Sequence, residues 1–159
     1  MGSRSNTEKA YIAGFLDGDG SIMLQLKKRS DTKRGYRFMA TICFYQDTRH
    51  EEPLRWIRSV LKIGYISRRN DGVSELRVNG YKSVGRVLDD LIPYIRFKRV
   101  QAAAMVQACE ILENTPLGKL SEKQLKYVID LVLAIQNENY STHRKRQREE
   151  LLKEFGLTP

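Results

Sequence analysis

The residue best placed to do chemistry is Asp19, in the stretch Tyr11-Ile12-Ala13-Gly14-Phe15-Leu16-Asp17-Gly18-Asp19-Gly20. A carboxylate can hold a hard divalent ion, because ions such as magnesium prefer carboxylate, carbonyl and water oxygens. Such an ion can activate a bound water and stabilise developing negative charge. The stretch around Asp19 reads as a helix. Ser5 with Glu8 can form a capping box, and Thr7 is an alternative cap. Gly18 and Gly20 flank Asp19, and glycine permits the backbone turns that close a helix. Ala10, Gly14 and Gly18 recur at a spacing of four, so one helix face has almost no side chains. A second helix backbone can approach such a face closely, and Asp19 lies where two such helices would converge. By residue types alone Asp19 has two roles open to it. One is a structural acid at a helix end, which those types by themselves favour; the other is a metal ligand. Asp17 falls on the helix proper and suits packing or capping.

The chain has 159 residues, enough for one domain with a real core. Its 28 basic and 19 acidic residues give a formal charge of +9 and a pI near 9.7. That balance favours a polyanionic partner, nucleic acid above all. Cys43 and Cys109 are too few for a disulfide framework or a zinc site, which points to a reducing interior. Neither a signal peptide nor a long apolar run is present, so no membrane role is expected. Residues 1–6 read as a flexible start or cloning remnant, and 7–156 as one domain.

Two hairpins and several helices must position these residues. Ser21 to Arg29 alternates, with Ile22, Leu24 and Leu26 one way and Gln25, Lys27 and Arg29 the other. After a polar turn, Tyr36 to Gln46 sets Phe38, Ala40, Ile42 and Phe44 against Arg37, Met39, Thr41, Cys43 and Tyr45. A shorter hairpin pairs Tyr65–Arg69 with Val73–Asn79, and its outward residues are Ser67, Arg69, Glu75 and Arg77. Helices are expected over Pro53–Lys62, Lys82–Ile92 and Phe97–Asn114, then one capped by Ser121 with Gln124. A last helix runs from a Thr142 cap to Gly156. Trp56 reads as packing or a buried anchor.

A strand rises about 3.3 Å per residue and duplex DNA about 3.4 Å per base pair, so Ser21 to Arg29 tracks roughly nine base pairs. A two-stranded ribbon fits the major groove, where each base pair shows a distinct donor and acceptor pattern. There Gln25 can pair with adenine, while Lys27, Arg29, Arg37, Arg69 and Arg77 can reach guanine or phosphate. Glu75 can accept from cytosine or orient an arginine. Met39, Thr41 and Tyr45 offer apolar contacts to thymine methyls, and Cys43 and Ser67 share their face. A plain solvated face is the default for antiparallel sheets. The excess of arginine over carboxylate tips the balance toward DNA. His143-Arg144-Lys145-Arg146-Gln147-Arg148 is the densest charge run. It is either the solvated start of the last helix or, favoured here, a source of phosphate contacts through Arg144 and Lys145. A basic first turn there opposes the helix dipole.

Ile12 to Gly20 (IAGFLDGDG) resembles the LAGLIDADG motif of the homing endonucleases. Ala13, Gly14, Asp17, Asp19 and Gly20 match its letters, and Phe15 departs in size. The element order also matches that family. The resemblance implies an α+β fold: an α-β-β-α-β-β-α core with an antiparallel, saddle-like DNA-binding sheet and additional C-terminal helices. It implies Asp19 as a metal ligand with the Gly18 carbonyl beside it. Mg²⁺ is the implied ion, with Mn²⁺ or Ca²⁺ as substitutes for binding and Ca²⁺ without cleavage. One chain carries one motif, so a homodimer is implied, paired through Ala10, Ala13, Gly14, Asp17 and Gly18. Two copies of Asp19 would then meet, and they repel unless metals sit between them. Gln46 corresponds to a polar residue that positions the attacking water. Lys98 corresponds to a lysine near the scissile phosphate, where it can polarise solvent and screen charge. The family's further basic group falls at His50, beside Arg49.

The implied activity is hydrolysis of one phosphodiester per strand of double-stranded DNA at a long pseudo-palindromic site, leaving short 3′ overhangs. By the same resemblance the protein is encoded in an intron and works in an organelle (chloroplast or mitochondrion) or a prokaryotic cytoplasm. Two rivals stand beside it: a binding-only relative, and an RNA maturase acting on its host intron RNA. A ribbon suits duplex DNA better than A-form RNA, whose major groove is deep and narrow.

Overall fold

The computed structural model describes residues 5–32, 34–139 and 144–158 and shows an α+β fold. Helix α1 (Asn6–Asp19) starts at the expected capping box, with Ser5 Oγ accepting from the Glu8 N–H and the Glu8 carboxylate from the Ser5 N–H. Strands β1 (Gly20–Lys28) and β2 (Tyr36–Asp47) form the long hairpin. Helix α2 (Glu52–Leu61) leads to the short hairpin, β3 (Tyr65–Arg68) and β4 (Val73–Asn79). Helices α3 (Tyr81–Leu91), α4 (Arg99–Asn114), α5 (Glu122–Glu138) and α6 (Arg148–Glu154) follow. Thr142 and His143 lie outside the described residues. Helix α6 begins after Gln147, and Glu149 and Glu150 occupy its first turn. Its start is therefore acidic and favourable to the dipole, and most of the basic run precedes it.

The four strands form one antiparallel sheet in the order β1-β2-β4-β3. Alternation decides which face packs, because successive side chains on a strand point to opposite sides. Ile22, Leu24, Phe38, Ala40, Ile42, Phe44, Leu76 and Val78 are buried against the helices. They join Ile12 and Leu16 of α1, Leu54 and Ile57 of α2 and the stripes of α3, α4 and α5 in one apolar cluster. Each large side chain so buried contributes roughly 1.5–3 kcal/mol. A one-residue slip would turn the whole set to solvent, so the register is firmly set.

Gly20 corrects one expectation. Its backbone is extended (φ −128°, ψ 173°), so no left-handed glycine closes α1. Space is what demands glycine there. A Cβ would lie 2.6 Å from Leu16 Cδ1, 2.8 Å from the Leu16 carbonyl oxygen and 2.9 Å from that of Cys43. The end of α1 is thereby pinned against β2. Trp56 is not a buried anchor either: it is 37% exposed, and its ring meets Tyr11 edge-on at 5.3 Å.

Candidate active site and nucleic-acid interface

Helix α1 has two faces. Ile12, Ala13, Leu16 and Asp17 are buried, while Ala10, Tyr11, Gly14, Gly18 and Asp19 are exposed. At Gly14 and Gly18 an added Cβ would meet nothing within 4 Å, so the small-residue stripe is open. Ala13 and Asp17 do not belong to it. Ala13 lies in the chain's own core and Asp17 turns inward, so neither offers its side chain to a second helix. Asp17 instead ties α1 to the segment before α4. Its Oδ2 accepts from the Arg96 N–H at 2.7 Å and its Oδ1 from the Lys98 N–H at 3.0 Å. Lys98 is the N-cap position of α4, where orphan N–H donors need an acceptor.

Asp19 points the other way. No hydrogen bond or ion pair joins its carboxylate to another described residue. The carbonyls at the end of α1 carry the negative end of the helix dipole. The Asp19 carboxylate and the Gly18 carbonyl thus form a pair of hard oxygens, a donor set that fits a hard divalent cation. Such an ion takes about six ligands, so most of its shell falls to water and phosphate oxygens. Among the described residues no group of three His, Cys, Asp or Glu side chains comes together.

Lys98 is 8% exposed, unusual for a lysine. Its ammonium donates to the Asp17 carbonyl oxygen at 2.5 Å, at the end of α1. Burial lowers its pKa from the ordinary 10.5, while the nearby carboxylates of Asp17 and Asp19 pull it the other way. Strand register brings in Gln46. Gly20 pairs with Phe44, which puts Gln46 two residues further along β2, beside the end of α1. Its Oε1 accepts from the Asp47 N–H at 2.9 Å, fixing the amide. Asp47 also grips the Arg49 guanidinium at 3.0 and 2.8 Å and caps the turn Thr48–His50. That guanidinium holds the Asp47 carboxyl well below the usual carboxylate range. Arg49 is thus committed locally, and His50 stands exposed beside it.

The outward face of the sheet is less open than alternation implies. Gln25, Lys27 and Arg37 are exposed, and Met39, Tyr45, Ser67 and Arg77 are half-buried. Cys43 is fully buried, and Thr41 is nearly so with its hydroxyl donating to Asn79 Oδ1 at 2.8 Å. Neither is free to present itself to a ligand, and burial pushes the Cys43 thiol pKa up. Glu75 is buried too, accepting from Arg69 at 3.2 Å and from Arg77 at 2.7 Å. It orients arginines, the second of its two expected roles, and at 6% exposure shows little of its carboxylate to the groove. Arg29 is bound to Asp31 past the end of β1, and Lys145 donates to the Asn137 carbonyl oxygen at 3.2 Å, while Arg144 is exposed. Sequence reasoning passed over Phe97, which is 84% exposed between Arg96 and Lys98. The signal was available: a large aromatic residue between two cations just before α4.

Residues 12–101 match the LAGLIDADG endonuclease family, and the chain belongs to it. Two algal relatives carry the likeness further. The chain is 37% identical over 106 residues to the DNA endonuclease I-CvuI of Chlorella vulgaris, covering 67% of this chain and 66% of that enzyme. It is 30% identical over 150 residues to the DNA endonuclease I-CreI of Chlamydomonas reinhardtii, covering 94% and 90%. A solved I-CvuI complex with its own DNA target and calcium superposes at a TM-score of 0.79 with 29% identity over 96% of this chain and 97% of that one. Another holds an I-CreI target uncleaved in the presence of magnesium. The archaeal intron-encoded homing endonuclease I-Vdi141I, also bound to DNA, shares the fold at a TM-score of 0.81 and 20% identity, with 95% and 96% covered.

Proposed function

We propose that the chain acts as a homodimeric, site-specific endonuclease on double-stranded DNA. The observation that carries this is the exposed Asp19 carboxylate at the end of an open Ala10–Gly14–Gly18 stripe. A second copy laid along that stripe, with Tyr11 at its margin, brings two Asp19 carboxylates to a two-fold axis, one for each DNA strand. The DNA complexes of I-CvuI support this direction. The exposed Gln25, Lys27 and Arg37 and the Glu75-oriented Arg69 and Arg77 enter the major groove. Two ribbons of this reach span about two turns of DNA, so the two-fold symmetry is mirrored in a pseudo-palindromic target.

Asp19 and the Gly18 carbonyl would hold the divalent ion, magnesium for cleavage with manganese or calcium as substitutes for binding. When bound, the ion supplies Lewis-acid stabilisation and an activated water. Gln46, held by Asp47, orients the attacking water. Lys98, held by Asp17, screens charge at the scissile phosphate and needs little reorganisation to do so. His50 approaches the phosphate from its exposed turn. One phosphodiester in each strand is hydrolysed, leaving short 3′ overhangs.

The test is selection from a randomised duplex library with Mg²⁺. Cleavage of a pseudo-palindrome of about two turns supports the proposal. Retention of one site without cleavage under any divalent ion would make the chain a binding module.

A further inference from the structure

We propose that a basic cleft at the edge of the sheet, lined by Arg55, Arg58, Lys62, Tyr65 and Arg68, binds the phosphate backbone of duplex DNA. It rests on the DNA-binding role above and adds to it an anchor that reads no sequence. The organiser is Glu51, at the N-cap of α2 and 5% exposed. Its carboxylate accepts from Arg68 Nε at 2.9 Å, Arg55 Nη2 at 2.5 Å and Ser74 Oγ at 2.6 Å. One buried acid therefore fixes two arginines whose side chains remain 65% and 53% exposed. Arg58 is fixed separately, its Nε donating to the Gly64 carbonyl oxygen at 3.0 Å. Guanidiniums held in place lose less freedom when they engage an anion, and their planar fork matches phosphate oxygens.

Charge and placement fit a nucleic-acid backbone. Two adjoining cavities of about 480 and 390 Å³ share Arg55 and Arg58; the first reaches Glu51, Tyr65 and Arg68, the second Lys62. Four cations there face one carboxylate, a surplus that a chain of phosphates offsets. Arg68 pairs with the fully buried Ser74, which puts it on the helix side of the sheet, opposite Ser67 and Arg69. β3 is an edge strand, so the two sides meet at its border. Tyr65 spans that border: its hydroxyl accepts from Asn79 Nδ2 at 3.2 Å on the groove side while it also lines the cleft. A duplex seated on the groove face has its backbone at this edge, within reach of the cleft. Contacts of this kind add affinity and position without distinguishing bases.

The test compares wild type with Arg58→Gln, Lys62→Gln and the double variant, which leave the Glu51 network intact. Binding is measured across salt concentrations, with Ca²⁺, to the selected target, to a random-sequence duplex of equal length and to an RNA hairpin. Each removed cation should weaken both duplexes by the same factor, about threefold to tenfold, and reduce the salt slope by about one per subunit. Lys123→Gln, an exposed charge at the start of α5, serves as the net-charge control. Slopes in the cleft variants equal to that of Lys123→Gln would overturn the proposal, as would a loss confined to the selected target. A loss confined to an RNA hairpin would assign the cleft to RNA instead. If wild type binds neither duplex, the DNA-binding role itself fails and the cleft's role with it.

Discussion

The inner and outer faces of α1 use the same two residue types for opposite purposes. Asp17 and Asp19 stand two residues apart, which on a helix of 3.6 residues per turn places them on different sides. Asp17 is buried with both oxygens accepting backbone N–H groups, so it joins α1 to the start of α4. Asp19 is exposed and keeps its lone pairs. The glycines divide in the same way. Gly20 is required by the carbonyls of Leu16 and Cys43 crowding its Cα, whereas Gly14 faces empty space. A residue satisfied within its own chain is there for the fold. A small or acidic residue that nothing in the chain requires is free to serve a partner or an ion.

Substitutions can break that contrast, the most damaging being on the inner face. Asp17→Ala leaves two N–H donors without their acceptor, and urea unfolding should show a loss of about 3 kcal/mol. That corresponds to a melting temperature roughly 6–12 °C lower for a chain of this size. Gly20→Ala should follow, at about 2 kcal/mol, because two of its three Cβ contacts are backbone carbonyl oxygens that cannot step aside. Gly14→Ala adds the same methyl group to open space and should stabilise the single chain by roughly 0.5–1 kcal/mol. Gly14→Leu should leave the fold intact yet block close helix approach, so sedimentation should find monomers where the proposed pairing predicts wild-type dimers. A dimeric Gly14→Leu protein would move the interface away from this stripe.

The smallest effect is conditional on pH. Glu51 resembles Asp17 in being buried and satisfied, and Arg68 and Ser74 bring its carboxyl down to about 2 from an ordinary 4.5. Between those values the unfolded chain binds more protons than the folded one. The Glu51 contribution is therefore complete above about pH 4.5 and is lost as pH falls toward 2. Denaturation of Glu51→Gln should run below wild type at neutral pH and converge with it across that window. Parallel curves would show that the network contributes nothing to acid stability.

Local patterns carried most of the fold. The capping boxes at Ser5 and Ser121 and the alternation of both hairpins were readable, because each is set by neighbours in sequence. What escaped depends on distant segments. Asp17 is turned away from the Ala10–Gly14–Gly18 stripe by Arg96 and Lys98, and Ala13 by its place in the core, neither of which any spacing within α1 reveals. Alternation told which side Thr41, Cys43 and Glu75 face. It did not tell that β2 and β4 are the interior strands, where neighbours on both sides cover such residues. The last helix starts after Gln147, which makes no side-chain cap bond, so no local capping signal marks its first turn. At the site, Asp19 and the open stripe were legible, while the burial of Lys98 was not.

By this division of labour Asp19 serves chemistry and Asp17 serves the fold. That division is tested most directly by following cleavage and binding of the selected duplex, with thermal unfolding, in Asp19→Asn beside wild type. The metal's share of transition-state stabilisation is several kcal/mol, so cleavage should fall about a thousandfold or more. Unfolding should stay within about 0.5 kcal/mol of wild type, and the duplex should still be bound. An Asp19→Asn protein that cuts at the wild-type rate, or that loses its fold as Asp17→Ala does, would contradict the account.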